Sequence, residues 1–268
     1  VLEARLIRHH EPKYNRRGKT WRRYAYLRID DTEAFPRIKV VREPKAGGAY
    51  LGPFPSSQHA HLAKEALEEA FPIRRCTKAM RASTRFAPCA LADMGRCLAP
   101  CEGRVGPERY GELVRSLLSS LDRPGGLLAA LGTRMRELAE QERFEEAALA
   151  RDRLRALAEA LARARTDGWL LGARDLEVRD ADGRPIRLRA GALAWGEDDE
   201  PLGRPCPRQR ADEVAAVRSW LGRNTVAVVA ADPPLSEPVD GGAELHRLLA
   251  ALRGADRREA PGRSARAS

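Results

Sequence analysis

The sequence predicts an α+β chain assembled from several small units, and three observations predict it. Alternating apolar residues between Tyr24 and Val41 read as two strands. From Leu127 to about Arg165 the chain is helical in pattern throughout and rich in Ala, Leu, Glu and Arg. After Thr166-Asp167-Gly168 short strand and helix signals return. A length of 268 residues suits one large domain or two or three small ones, and 43% hydrophobic residues can fill a core. The longest apolar runs are a few residues, too short to cross a bilayer. Val1 is not an initiator Met and no basic-then-apolar leader follows it, so the chain is expected to be cytoplasmic, without a membrane partner, and to continue upstream.

Each element has a local reason. Leu2, Leu6 and Ile7 make one apolar stripe of a helix over 2–10, and Pro12 ends it. Tyr24, Tyr26, Leu27 and Ile29 lead into an Asp30-Asp31 turn, and Ile38, Val40 and Val41 form the return strand. Tyr50-Leu51-Gly52-Pro53-Phe54-Pro55 reads as a rigid aromatic and proline stretch. Ser56 or Ser57 caps a helix running to Phe71, with Leu62, Ala63, Ala66, Leu67 and Ala70 inward. Pro107 starts the next helix, burying Tyr110, Leu113, Val114, Leu117 and Leu118. The long pattern that follows is expected to break near Gln141–Phe144 into an antiparallel hairpin, which needs something to pack against. Leu176–Val178 and Ile186–Leu188 flank Asp182-Gly183 as a second strand pair. Ala211–Leu221 reads as helix, Thr225–Ala230 as a buried strand, Ala243–Leu252 as helix, and 254–268 as a disordered tail.

The net charge of +10 is unevenly spread: residues 1–80 hold 17 Lys/Arg against 9 Asp/Glu. A positive field at one end is the footprint of a polyanion-binding face. Lys13, Arg16, Arg17, Lys19, Arg22 and Arg23, set around Tyr14 and Trp21, are the candidate DNA-phosphate contacts. A solvated basic surface with no partner is the plainer alternative.

Four of the five cysteines, Cys76, Cys89, Cys97 and Cys101, fall within 26 residues, and Cys206 stands alone. Without a secretory leader a disulfide framework is not expected. Pro88, Gly95, Pro100 and Gly103 bend the chain between the four, as short loops need to aim several sulfurs inward. Four thiolates suit one tetrahedral zinc or one iron–sulfur cluster alike. Glu3, at the start of a helix and just before the basic stretch, can ligate one Mg²⁺ or Mn²⁺ near bound phosphate, or serve only as a favourable helix-end charge. Asn15 has the plainer role of stabilising a turn.

These residues fall into five ordered motifs. Glu3-Ala4-Arg5-Leu6-Ile7 with Pro12-Lys13-Tyr14-Asn15 resembles the end of the GIY-YIG nuclease domain of UvrC-type excinucleases. Phe35-Pro36-Arg37-Ile38-Lys39-Val40 with Tyr50-Leu51-Gly52-Pro53-Phe54 resembles a later segment of that family, and Phe71-Pro72-Ile73-Arg74-Arg75-Cys76 its F-P-x-R-x-C. Pro88-Cys89-Ala90-Leu91 with Gly95-Arg96-Cys97-Leu98-Ala99-Pro100-Cys101 is similar to its cysteine-rich stretch. Phe144-Glu145-Glu146-Ala147-Ala148 with Arg151-Asp152-Arg153-Leu154 resembles the UVR motif.

The resemblance implies a DNA-repair endonuclease that incises phosphodiesters beside lesions in nucleotide excision repair. Glu3 would then be the metal-binding catalytic glutamate and Asn15 the residue that shapes the active site. The four clustered cysteines would hold a 4Fe-4S iron–sulfur cluster, with zinc as the alternative. The UVR hairpin would dock on a UvrB-like helicase subunit or on another copy, through Phe144 as anchor with Glu145, Ala148, Arg151 and Asp152. The GIY-YIG strands would lie upstream of Val1, so the chain alone is expected to be inactive. No carboxylate set of a second nuclease domain follows the hairpin, which places the chain nearer the short Cho-like relatives or fusions with a DEDD exonuclease. The domain plan expected is a nuclease end at 1–20, a strand and helix connector at 21–75 and a Cys-rich domain at 76–125. The UVR hairpin follows at 126–165, a small α/β region at 166–253 and the tail at 254–268. Competing readings are a non-catalytic zinc-containing DNA-binding adapter and a UVR-type regulatory partner.

Overall fold

The computed structural model describes residues 22–83, 85–87, 89–194, 205–234 and 242–259. The expected first helix, Glu3, Asn15, Lys13, Arg16, Arg17 and Lys19 lie outside the described residues. The architecture is α+β, with two antiparallel sheets and helices packed against them. No helix among the described residues is long and apolar enough to cross a membrane.

The first sheet has the order β2-β1-β3, formed by Ala25–Ile29 (β1), Ile38–Val41 (β2) and Ala49–Phe54 (β3). Leu27 stands opposite Val40 on one side and Leu51 on the other. The stretch read from sequence as a rigid proline segment is therefore a strand. Pro53 is tolerated because β3 lies at the sheet edge, where a missing N–H costs least, and the register against β1 slips there. Helix α1 (Ser57–Ala70) follows, and Ser56 caps it by accepting a bond from the His59 N–H. Its buried face is Ala60, Ala63, Ala66 and Leu67; Leu62 is half-buried and Ala70 is exposed. Small alanines let α1 lie close on the sheet.

After a single turn, α2 (Ala90–Asp93), the cysteine loop leads to α3 (Pro107–Asp122), which begins at its proline as expected. Then come α4 (Gly125–Glu140) and α5 (Phe144–Gly172). They turn where the sequence predicted, and the hydrogen bonds give the reason. The Arg143 N–H donates to Leu138 O at 2.9 Å and the Glu142 N–H to Ala139 O at 3.0 Å, the paired bonds of a Schellman stop. Glu142 takes the left-handed position, φ +59°, that glycine usually fills.

The hairpin finds its packing partner within the chain: α5 lies on α1 and β3, with Leu154, Leu157, Ala158, Ala160 and Leu161 buried in the main core. Helix α5 also runs past the Thr166-Asp167-Gly168 signal to Gly172. A glycine inside a helix costs about 1 kcal/mol. Burial of Leu170 in a second core and the pairing of Asp167 with Arg218 offset that cost.

The second core lies under a sheet of order β6-β5-β4-β7, made by Asp175–Arg179 (β4), Pro185–Arg189 (β5), Ala192–Leu193 (β6) and Ala227–Asp232 (β7). The Asp182-Gly183 hairpin is present, its turn held by the Asp180 carboxylate, which accepts from the N–H groups of Asp182 and Arg184. Helix α6 (Ala211–Leu221) has the predicted bounds. The last strand departs from expectation: β7 is exposed along nearly its whole length, not buried. It is the sheet edge, and Val229 is an extra residue against β4, where Val228 and Ala230 face the adjacent Val178 and Glu177. Helix α7 (Gly242–Glu259) continues into the segment expected to be disordered, and Leu245, Leu249 and Leu252 pack into the main core; residues 260–268 lie outside the described residues.

The two cores are tied together by polar bonds. Tyr24 donates to Asp212 at 2.7 Å, Tyr26 donates to the Cys206 carbonyl at 3.0 Å, and Arg208 pairs with Glu43 at 2.9 Å.

Candidate cysteine site and hairpin tip

The cysteine loop is held from below by Arg74, which is buried. Its guanidinium donates to the backbone oxygens of Cys76 at 2.9 Å and Lys78 at 3.0 Å, and also to Phe35 O. The same nitrogen that serves Cys76 O lies 3.7 Å from the Cys76 sulfur. A planar fork with five N–H donors can do this and a lysine cannot. The Arg74 N–H donates to the Tyr110 hydroxyl at 2.8 Å, and that hydroxyl donates to Pro36 O at 3.0 Å. Helix α3 is thereby fastened to the strand sheet beneath the loop. Burial pushes the Tyr110 hydroxyl well above its ordinary value, so it stays a donor.

The loop is also pinned along its length. Leu98 N–H donates to Pro72 O and Phe86 N–H to Cys101 O. Gly95 (φ +68°) ends α2 with the same Schellman pair that ends α4: Arg96 N–H to Leu91 O at 2.8 Å and Gly95 N–H to Ala92 O at 3.0 Å. Ala99 is also left-handed, at φ +51°. These turns wrap the chain around Cys97.

Cys76 and Cys97 are half-buried, Cys101 is buried, Cys89 is exposed, and none is disulfide-bonded. The Cys97 thiol is pushed up first by burial and then by the charges of Cys89, Cys101 and Cys76, while the Ala99 N–H pulls it back. All three other cysteines thus stand within electrostatic reach of Cys97. Among the described residues, however, no three His, Cys, Asp or Glu side chains lie close enough to hold a metal ion as placed. As placed, then, the four thiols are neighbours in one loop region and do not form a closed ligand set. The donor set itself fits a soft metal or cluster, being four sulfurs, with the Ala99 N–H directed at that of Cys97 and the Arg74 guanidinium 3.7 Å from that of Cys76. Cys206 is elsewhere, buried in the second core, and burial pushes its thiol up to about 12.

Of the other expected site residues, Arg22 and Arg23 are exposed in the turn that enters β1. At the hairpin tip Phe144 is 66% exposed, the largest bare apolar surface there, and Glu145 is exposed beside it. Ala148, Arg151 and Asp152 are half-buried, with Arg151 and Asp152 paired at 3.5 Å. Phe144, Ala148 and Asp152 recur every four residues and so share one face of α5. The sequence reading missed Leu149, 50% exposed one turn beyond Glu145. It also gave Arg74 no role, because a buried arginine announces itself only through the carbonyls it meets.

Strand sheet, buried arginine and cysteine loop together define a cysteine-loop module joined to a helical hairpin. Residues 24–120 match the family model of the UvrC/Cho excinuclease middle domain, and residues 126–160 match that of the UvrB/uvrC motif. Residues 24–160 thus resemble the UvrC/Cho excinuclease family in two successive units. Among similar proteins, UvrABC system protein C of Syntrophus aciditrophicus is 43% identical over 167 residues, 62% of this chain and 27% of the relative. The protein of the same name from Desulforudis audaxviator is 40% identical over 61% of this chain and 26% of the relative. That of Thermus thermophilus is 41% identical over 59% of this chain and 27% of the relative. The chain thus spans about a quarter of the length of these relatives. No solved structure matches it.

Proposed function

We propose that this chain is part of a DNA-repair endonuclease that cuts phosphodiesters near lesions in nucleotide excision repair. The observation that carries the reading is the succession, in one segment, of the excinuclease middle domain and the UvrB/uvrC motif. In this reading Glu3 holds the Mg²⁺ or Mn²⁺ that activates water and Asn15 shapes that site. Cys76, Cys89, Cys97 and Cys101 hold a 4Fe-4S cluster in preference to zinc, since their wide spacing lacks paired C-x2-C knuckles. Such a cluster would supply a rigid, redox-capable anchor for the loop. Phe144 is the anchor for a UvrB-like subunit or a second copy. Its exposure on a helix already packed on its other face supports that role.

Two measurements test the reading. Mg²⁺-dependent nicking of a lesion-bearing duplex by the chain extended upstream through GIY-YIG strands, abolished in Glu3→Gln while DNA binding persists, supports it. Nicking that survives Glu3→Gln, or robust cleavage by the unextended chain, overturns it. Anaerobically purified protein should be brown and lose its iron in Cys97→Ser but keep it in Cys206→Ser. A colourless protein with one stoichiometric zinc overturns the cluster.

A further inference from the structure

A cleft of about 540 Å³ opens where the cysteine loop, α1 and the hairpin tip meet. Four arginines line it: Arg96 from the cysteine loop, Arg134 from α4, Arg143 from the hairpin turn and Arg153 from α5. Only two carboxylates, Glu69 and Glu146, line it with them, so its wall carries a net positive charge.

Arg96 and Arg143 occupy the same local position in two unrelated segments. Each directly follows the left-handed residue of a Schellman stop, Gly95 in one case and Glu142 in the other. Each backbone N–H is spent on the helix it terminates, through Arg96 N–H to Leu91 O and Arg143 N–H to Leu138 O. The two side chains therefore leave from hydrogen-bonded turns, and both line one cleft. Their electrostatic state differs. Arg143 is clamped by Glu146 at 2.6 Å, and Arg153 is held by Glu65 at 2.8 Å and Glu69 at 3.7 Å. Arg134 reaches Glu137 only at 3.5 Å, between two exposed side chains. Arg96 is exposed and makes no ion pair among the described residues. Arg96 and Arg134 thus retain unspent donors, while Arg143 and Arg153 are fixed in place and frame the opening.

Planar guanidinium forks converging from several rigid elements match tetrahedral phosphate oxygens better than a diffuse basic surface does. We propose that this cleft binds the sugar-phosphate backbone of a nucleic-acid strand, with Arg96 and Arg134 making the phosphate contacts. The proposal rests on the DNA-acting reading above for the kind of polyanion, and on the cleft itself for the residues. It adds to the candidate phosphate contacts read from the sequence at 13–23 a second set of residues. It also places bound nucleic acid one residue from Cys97, so the cysteine loop presents its own DNA contact.

The test is fluorescence anisotropy of a labelled duplex over a series of salt concentrations. The proteins compared are the unaltered protein, Arg96→Ala/Arg134→Ala, and the control Arg109→Ala, an exposed α3 arginine paired with Glu112 away from the cleft. The double variant should bind about ten-fold or more weakly near 0.15 M salt. Its log–log salt slope should be shallower by about 0.9 for each phosphate it no longer neutralises. Arg109→Ala should leave both unchanged. Both altered side chains are solvent-facing, and an unchanged thermal melt verifies folding. Unaltered affinity and slope in the double variant, with the parent binding DNA, overturn the cleft assignment and leave the excinuclease reading standing. Failure of every form to bind DNA overturns both. Binding of poly-glutamate that disappears in the double variant while DNA affinity is unchanged gives the cleft to an acidic protein partner and overturns the proposal.

Discussion

The two antiparallel sheets of this chain each hold an apolar strand, β1 and β7, and these two strands end up in opposite environments. In the first, four of the five β1 residues are buried, because β1 is flanked by strands on both sides and covered by α1. In the second, β7 carries Ala-Val-Val-Ala-Ala and still leaves Val228 and Val229 44% and 49% exposed. Strand pairing on one side only, with the bulge at Val229, is the difference. An apolar run tells which residues can be buried, and the neighbours decide which are. The bulge also suits an uncovered edge, since it spoils the flat ladder another strand would add to.

The strongest way to break this contrast is to truncate each sheet in turn. Phe35, 1% exposed and edge-on to Tyr110 at 5.4 Å, is part of the first core. Phe35→Ala should cost about 3–5 kcal/mol in urea unfolding. Val229→Ala should stay within about 0.5 kcal/mol. Comparable losses would mean that β7 is covered in solution.

A smaller effect sharpens the comparison at the junction of the two cores. Asp167 is buried on α5, and that burial raises its carboxyl, opposed by Arg218 and then Arg163; Cys206 lies in the same field. A carboxyl raised by folding binds its proton more tightly in the native state. Stability therefore falls as pH rises from the ordinary carboxylate value through the raised one. Removing Arg218 takes away the main opposing charge and strands a buried carboxylate. Arg218→Ala should cost about 1–3 kcal/mol near neutral pH. The cost should shrink from neutral pH down into the acid range, where Asp167 takes up its proton. A loss independent of pH over that range would show that Asp167 does not ionise in the folded protein.

The smallest effect concerns the hairpin turn. Two Schellman stops use different residues at the left-handed position, Gly95 and Glu142. A side chain there costs about 1–2 kcal/mol of strain, partly offset by its lower unfolded-state entropy relative to glycine. Glu142→Gly should raise stability by up to about 1 kcal/mol, read as a small upward shift in Tm, with the hairpin intact. A drop in Tm would mean that the Glu142 side chain makes a contact worth more than the strain.

Where the cause is local, the sequence was readable. Ser56 as cap, Pro107 as first residue of α3, the break at Gln141–Phe144 and the bounds of α6 all follow from residues within one or two turns. Candidate chemistry was readable in the same way, since the four cysteines and Phe144 are conspicuous by type and spacing. Less local features were not. Pro53 hid β3, because an edge position in a sheet is a property of pairing, and α5 passed Gly168 because the second core rewards Trp169 and Leu170.

By itself, then, the sequence determined the mixed α and β content, the hairpin and the donor atoms available for a metal or cluster. These depend on propensity, capping and side-chain chemistry, which act over a few residues. Only the tertiary structure decided that Arg74 lies beneath Cys76, that Arg96 and Arg134 share a cleft, and that β7 is an edge rather than a core strand. Such outcomes turn on which distant segments meet. Burial, ion pairing and strand order are energies of contact between residues that the linear chain keeps far apart.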